Sequence, residues 1–452
     1  MLLVIIGILL FEAIIFVHEF GHFISAKRSG VKVNEFSLGM GPKLFSFTKG
    51  ETVYSLRALP IGGFCAMEGE DEDSQNPRAF NNAKLWKRMI IIVAGALLNI
   101  LLGFIFMLII EVQQPYFVQP VVDSFPEQSY SAFTGLKEGD KIVRINNYGV
   151  TTMRDFQYGL ATIKVSDNLD GKNIVFYKKD AINNLVDHIT VDIRDKYKDA
   201  EQSVLEAKFN DAVAVLNSYL PALRSAKTVA EVESIYSKCY NDMDHKYGEY
   251  TLPALATQST RQSFKTNVTV ERNGQIVELY DVNFLGYKES EEAQPMVQLD
   301  FYTTAQEKNF GTVLSNTFND TISVVKMVWA SLIGLVTGQF GLTDVAGPVG
   351  MTSAIQQVTS EGLEVGGFAE GFNRLFFMMM LITVNLGVFN LLPFPALDGG
   401  RFVFLAIEAI ARKPIPRKIE AAVNGAGLAI LMLFILVVTL KDVWQLVANI
   451  FI

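Results

Sequence analysis

The sequence predicts an α-helical polytopic membrane protein with four core transmembrane helices, membrane-associated β-hairpins and one extracytoplasmic α+β domain. Three observations carry that expectation. Half of the 452 residues are hydrophobic and the mean hydropathy is +0.26, more apolar than a soluble chain. Apolar runs at 1–26, 89–110, 372–394 and 421–440 each approach the ~20 residues a helix needs to cross a bilayer. Between the second and third runs, residues 111–310 are mostly polar and carry strand and turn patterns. The formal charge of −8 offers no basic footprint, so nucleic acid is excluded as a partner. Two distant cysteines, Cys65 and Cys239, make neither a disulfide framework nor a zinc knuckle.

The first run reads as a membrane span and not as a cleaved leader, since no Lys or Arg precedes it and no small-residue cleavage pattern follows it. Apart from Glu12, residues 1–17 are apolar, and the run continues into His18-Glu19-Phe20-Gly21-His22. Residues four apart lie one turn apart on one helix face, so His18 and His22 can share one metal ion as neutral imidazoles. Glu19 is then placed as general base toward the attacking water. Ionisable groups are costly in a membrane helix, which argues for a site and against two packing histidines. Glu12 lies seven residues before Glu19 on roughly the same face and has no assigned role.

Residues 27–88 hold ten basic residues, so the positive-inside rule puts this loop in the cytoplasm and the N-terminus outside. Val31–Phe47 and Thr52–Met67 read as strands. Gly39-Met40-Gly41-Pro42 and Pro60-Ile61-Gly62-Gly63 break them, which predicts hairpins. Glu68–Asp73 reads as a solvated acidic loop. In the second span, Gly95, Ala96 and Gly103 favour close packing, and Asn99 reads as an interhelical hydrogen-bonding group.

In the polar stretch, Gly135-Leu136-Lys137-Glu138-Gly139-Asp140-Lys141-Ile142-Val143-Arg144-Ile145-Asn146-Asn147 resembles the central signature of PDZ domains, which bind extended peptides by strand addition. Val268–Tyr287, with Asn273-Gly274 at its turn, predicts a hairpin, and Asn173–Ile193 is a second hairpin candidate. Residues from about 196 to 262 read as a helical insertion. His188 and His245 fall in the polar stretch 111–310 and read as ordinary surface residues.

Val324–Val336, interrupted by Lys326, is short for a span and predicts an amphipathic helix at the outer interface, with Trp329 at that level. Val345–Gly350 is a turn-rich connector. The third span runs into Asn390-Leu391-Leu392-Pro393-Phe394-Pro395-Ala396-Leu397-Asp398-Gly399-Gly400, where two prolines stop the helix. Arg401, Arg412, Lys413, Arg417 and Lys418 place the next loop in the cytoplasm, and the C-terminus ends outside. The first and third spans then run the same way, bringing Asp398 to the depth of the two histidines. If the 324–336 patch also crossed, Asp398 would land on the opposite face. The organisation is 1–111 (first span, hairpin loop, second span), 112–300 (extracytoplasmic domain), 301–371 (interfacial helix and connector) and 372–452 (third span, Leu-Asp-Gly-Gly segment, fourth span).

A catalytic zinc takes three protein ligands and keeps one position open. Asp398 is the strongest third candidate: it is on the right side and precedes two glycines that let backbones approach. Its alternative role is a helix N-cap. Asn390 is either a donor to the developing oxyanion or a cap on broken backbone. A helical substrate hides its carbonyls in i→i−4 bonds and has to unwind, and an edge strand from 31–67 would hold the unwound segment.

Taken together, His18-Glu19-Phe20-Gly21-His22, Asn390…Pro393…Leu397-Asp398-Gly399 and the PDZ-like segment resemble the site-2 protease family, in its bacterial regulator of sigma-E protease branch. Gly39-Met40-Gly41-Pro42, Pro60-Ile61-Gly62-Gly63, Lys84-Leu85-Trp86-Lys87-Arg88, Ala94-Gly95…Asn99 and Gly347-Pro348-Val349-Gly350 add to the likeness. Ala96 departs from it, standing where the family usually has Pro, and residues about 196–262 share little. The resemblance implies a zinc-dependent intramembrane endopeptidase in the bacterial cytoplasmic membrane. One Zn2+ would be held by His18, His22 and Asp398, with Glu19 as base. Its substrates would be pre-cleaved single-span proteins of the anti-sigma factor type, or remnant signal peptides, and the PDZ-like domain would filter them by size. Two other classes compete. A silent PDZ scaffold would not need an intact His18, Glu19, His22 and Asp398. A zinc carrier would need repeated ligand pairs, which the sequence lacks.

Overall fold

Helix α1 (Leu2–Ser29) opens the chain, and its Gly21 lets the next long helix cross it at backbone contact: a Cβ there would sit 2.5 Å from the Ala94 carbonyl oxygen. The structure is a computed structural model that describes all residues except 1, 71, 73, 127–128, 164–173, 248–261, 288–295, 298, 342–344, 346 and 452. The chain forms two compact units, Met1–Phe117 with Glu307–Ile452, and Val118–Gln306.

After α1 come β1 (Val33–Lys49) and β2 (Thr52–Met67). These are longer than ordinary strands, and their pairing shows why. Residues 35–38 pair with 63–66 on one side and with 53–56 on the other, while 43–49 pair with 52–57. Each strand is bent in the middle, so the ribbon becomes four short segments in the order 63–67, 33–38, 53–57, 43–49. The bends fall on the expected breakers, where Gly39, Gly41 and Gly62 take φ of +78°, +84° and +87°, a region open to glycine at no steric cost. The acidic loop is less solvated than expected: Glu68 accepts from Lys32, Asn34 and Ser74, and Glu70 pairs with Arg401. Asp71 and Asp73 lie outside the described residues. Helix α2 (Leu85–Gln113) matches the second span.

The second unit begins with β3 (Tyr116–Ser124), α3 (Tyr130–Phe133), β4 (Lys141–Ile145), β5 (Tyr148–Gly149) and α4 (Met153–Ala161). Four helices follow: α5 (Ile174–Asp187), α6 (Ile193–Lys196), α7 (Gln202–Ser225) and α8 (Val229–Tyr247). Then come β6 (Gln262–Arg272), β7 (Gln275–Tyr287), β8 (Met296–Val297) and β9 (Tyr302–Glu307). The strands form one sheet in the order β8-β7-β6-β4-β3-β9, with β5 beside β4. The Asn273-Gly274 turn joins β6 to β7 as expected, both residues at positive φ.

Two sequence expectations are overturned in this unit. Asn173–Ile193 forms no hairpin, since α5 starts at Ile174. Ala181, Leu185, Ile189 and Ile193 recur every fourth residue and are all buried, a helical stripe whose local alternation imitates a strand. His188 is no surface residue either. It is 2% exposed, with Nδ1 2.8 Å from Asp192 Oδ2 and its ring 4.5 Å from that of Tyr240. The side chain of His245 lies outside the described residues. The helices share a core built on Leu185, Leu216, Leu223, Tyr236 and Tyr240, distinct from the core of the sheet and α4 around Ile142, Phe156, Val270 and Phe284.

The chain returns to the first unit with α9 (Phe310–Val336), twice as long as its apolar patch suggests. Thr317 and Thr321 return their hydroxyls to the carbonyls of Val313 and Thr317, both at 2.7 Å. Satisfied this way, polar residues of the first half cost little in apolar surroundings. Helix α10 (Pro348–Asn390) is two arms joined at Gly367, whose φ of 67° is not helical. Helices α11 (Asp398–Ala411) and α12 (Arg417–Phe451) complete the chain. Among the described residues, four helical stretches are long and apolar enough to cross a membrane: Leu85–Gln113, Phe310–Val336, Glu370–Asn390 and Lys418–Gln445.

The helix directions follow from facing residues. His18 meets Asn99 while His22 meets Ile91, so α1 and α2 are antiparallel. Gly103 faces Val384, while Gly387 faces Ala96 and Asn99, so the second arm of α10 is also antiparallel to α2. Helix α1 and that arm therefore run in the same direction.

Because the helical insertion has its own core, Leu185→Ala should cost about 2–5 kcal/mol of local stability. Hydrogen exchange should then speed up across 181–243 and stay unchanged in β6 and β7. Equal acceleration in β6 and β7 would show the two cores to be one.

Candidate metal centre

Three side chains from two distant parts of the sequence converge. His18 Nε2 and His22 Nε2 lie 3.2 Å apart. Asp398 Oδ2 is 3.2 Å from the first and 3.3 Å from the second. Among the described residues these are the one group of three or more His, Cys, Asp or Glu that could hold a metal ion.

The local sequence explains how each arrives. Four-residue spacing stacks the imidazoles on one face of α1. Gly95 of α2 faces them: a Cβ there would overlap His22 Nε2 and come within 2.9 Å of His18 Cε1. Asp398 reaches them because the chain turns sharply after α10. Ala396 takes φ of 73°, and its N–H donates to Asn424 Oδ1 at 3.2 Å. Gly399 and Gly400 then pass so close to the carbonyls of Leu392 and Phe394 that any side chain would overlap them. Helix α11 is fastened by Arg88–Glu408 at 3.2 Å and by Arg401–Glu70. The N-cap position considered for Asp398 is held by Leu397, and no side chain caps α11 there.

The donor set fits zinc. With bonds of about 2.0–2.1 Å, ligands at the corners of a tetrahedron lie roughly 3.3–3.4 Å apart. The three observed separations are close to that edge. His22 Nδ1 lies 2.8 Å from the Ile91 carbonyl oxygen, which accepts the ring proton there and leaves the Nε2 lone pair for a metal. His18 Nδ1 lies 3.3 Å from Asn99 Nδ2, and Asn99 Oδ1 is a buried atom without a hydrogen-bond partner. Turning that amide by half a turn exchanges its O and N without moving the rest of the side chain. Oδ1 then accepts the His18 Nδ1 proton, and His18 also presents a free Nε2. The bridge between helices is made by the Asn99 backbone carbonyl, which accepts from the Thr383 hydroxyl at 3.1 Å, while the Asn99 side chain touches a ligand. Reading Asn99 as helix glue missed this contact. The signal available in sequence was its place one turn from Gly95.

Glu19 is half-buried beside the cluster. A Cβ on Gly63 would sit 3.5 Å from Glu19 Cγ, so the 63–67 segment borders it. Asn390 brings its side-chain nitrogen to 3.5 Å from His18 Nε2. All five candidate residues therefore meet at one place. His188 and the cysteines, buried and free as thiols, are not part of the cluster.

Comparison with known proteins gives the setting. The model of peptidase family M50 matches residues 6–434. The chain is similar to the regulator of sigma-W protease RasP of Bacillus subtilis, at 30% identity over 450 residues and 98% of each chain. It is also similar to the zinc metalloproteases RasP of Geobacillus kaustophilus, at 27% over 452 residues and 96% of each chain, and of Oceanobacillus iheyensis, at 27% over 447 residues, 97% of this chain and 98% of the relative.

Gly95→Val would push a side chain into the histidine pair, and Asn99→Ala would free the His18 ring. Each should weaken zinc binding about 10- to 100-fold, measured by chelator competition on the purified chain. Unchanged affinity in both would contradict the arrangement described.

Proposed function

This chain belongs to peptidase family M50 as an intramembrane zinc metalloprotease, and on that premise we propose that it cuts single-span membrane proteins within their membrane segments. The observation that carries the proposal is the triangle of His18, His22 and Asp398 with Glu19 and Asn390 at its border. His18, His22 and Asp398 are the proposed ligands of one zinc ion. When bound, the ion supplies a Lewis acid that acidifies water and polarises a carbonyl.

The chain's own residues supply the rest. Glu19, next to His18 on α1, takes the proton of the attacking water and later returns it to the leaving amine. Asn390 offers its side-chain N–H to the oxygen on which charge develops. Asn99 and the Ile91 carbonyl fix the two imidazole rings. An unwound substrate has free N–H and C=O groups that need partners. The 63–67 segment, at the sheet edge beside Glu19, supplies them by strand addition.

The basic residues supply the proposed orientation. Lys27, Arg28, Lys84, Lys87 and Arg88 gather at the ends of α1 and α2 nearest the site, and Arg401, Arg412, Lys413 and Lys418 follow Asp398. By the positive-inside rule this is the cytoplasmic side of a bacterial inner membrane, with both termini outside. The parallel run of α1 and the second arm of α10 supports the same depth for His18 and Asp398. The Bacillus relative is named a regulator of sigma-W protease, which supports a link to sigma-factor regulation. The substrates we propose are of the anti-sigma factor type, shortened beforehand by another protease, with remnant signal peptides as a second class. Residues 118–306 would act on the outer side as a PDZ-like filter. Helix α9, long and apolar enough to cross, would lie in the membrane against α2 and α10, where Val324 and Val328 pack with Met107 and Met380, and not at the outer interface.

The test is cleavage of a truncated single-span reporter in membranes. The wild type should cut within the span. Glu19→Gln should keep its zinc and lose activity by about 100-fold or more, the scale of general-base catalysis. Equal cleavage by both proteins would assign the activity elsewhere. Zinc retention without cleavage of any reporter in a panel carrying helix-breaking residues would favour a silent peptide-binding scaffold.

A further inference from the structure

Glu12 is unexplained by the metal site. It lies in an apolar helix with 6% of its surface exposed, and neither carboxyl oxygen has a hydrogen-bond partner among the described residues. An ionisable group without a partner is costly to keep in apolar surroundings, which marks Glu12 as a residue with a role.

Its surroundings suggest one. The polar groups that the carboxyl faces are the backbone N–H groups of Gly39 and Gly62, and it closes a full hydrogen bond to neither. One turn on, Ile15 of the same helix face lies against Gly63, the neighbour of Gly62. Gly39 and Gly62 are the bends that divide β1 and β2 into a four-segment sheet. They are packed without slack: a Cβ on Gly39 would lie 2.6 Å from the Leu59 carbonyl oxygen, and one on Gly62 would lie 3.1 Å from Met40 Cε. The same face of α1 continues along the sheet. Ile15 and Glu19 border Gly63, at 3.9 and 3.5 Å from its Cβ position. Glu12, Ile15 and Glu19 thus form a row on α1 that follows the backbone from the bends to the 63–67 edge. Two helical turns, about 10.5 Å, separate Glu12 from Glu19.

We propose that Glu12 is a positioning residue whose carboxyl accepts from the bend N–H groups of Gly39 and Gly62 and so fixes the 63–67 edge beside Glu19. This rests on the strand-addition reading given above. A sheet free to slide along α1 would present the substrate backbone out of register with the base, although the metal ligands would be untouched. Glu12 therefore acts on where the substrate lies and leaves the chemistry itself alone.

The experiment compares wild type, Glu12→Gln and Glu12→Leu in the full chain. It measures zinc content, hydrogen exchange of the Gly39 and Gly62 amides, and kcat and KM on a single-span reporter. Glu12→Leu should keep its zinc. Its two glycine amides should exchange about 5- to 10-fold faster and KM should rise by a similar factor, the scale of one net hydrogen bond, with kcat changing less. Glu12→Gln retains an acceptor oxygen and should restore most of both. If Glu12→Leu does not fold, Glu12→Ala removes the acceptor with less strain. Unchanged exchange at Gly39 and Gly62 in the folded variant would overturn the proposal, as would a fall in kcat at constant KM. A Glu12→Gln variant as impaired as Glu12→Leu would overturn it too. If the wild type cuts no reporter, the proteolytic reading fails, while the exchange rates still decide whether Glu12 holds the bends.

Discussion

The backbone contact between Gly21 of α1 and Ala94-Gly95 of α2 sets the distance on which everything else depends. A Cβ on Gly21 would lie 2.5 Å from the Ala94 oxygen and 2.9 Å from Gly95 Cα, so the helices touch through their backbones. At that separation the Ile91 carbonyl reaches His22, Asn99 reaches His18, and Gly95 leaves room for the two rings. The metal motif is therefore a property of two helices. Its four-residue spacing aims the imidazoles, but the small residues of the second helix let them face inward without steric overlap.

The same economy governs the return of the chain. Gly103 and Gly387 bring the second arm of α10 against α2. The turn through Ala396 and the tight passage at Gly399 and Gly400 deliver Asp398 in a single step. Arg88–Glu408 and Arg401–Glu70 then tie α11 to α2 and to the loop after the bent sheet. The sheet has the opposite need. Its bends interrupt the register between Leu38 and Met40, and a backbone N–H that loses its ladder partner in apolar surroundings requires an internal acceptor. The carboxyl of Glu12 is the acceptor we propose for the bends.

Much of this was legible in the chain. The long helices, the breakers at Gly39 and Gly62, the β6–β7 turn at Asn273-Gly274 and the convergence of His18, Glu19, His22, Asn390 and Asp398 all follow from spacing, charge and turn chemistry. What failed did so for identifiable reasons. At 173–193 a four-residue apolar stripe also alternates locally, and only the facing helices decide its period. His188 looked exposed because its partners, Asp192 and Tyr240, include one 52 residues away. Helix α9 looked short because threonines that bond their own backbone still count as polar in a sequence. The doubling of the hairpin into four segments depends on pairings between residues that no local pattern links.

The central claim is that one zinc ion joins the two ends of the chain through two imidazoles and one carboxylate. X-ray absorption at the zinc edge of the purified full-length protein tests it most directly. The account predicts a light-atom shell of nitrogen and oxygen near 2.0–2.1 Å, with multiple-scattering features of two imidazoles. It also predicts that the shell loses one oxygen ligand or reorganises in Asp398→Ala. A sulfur shell near 2.3 Å, a third imidazole, or a spectrum unmoved by Asp398→Ala would contradict it.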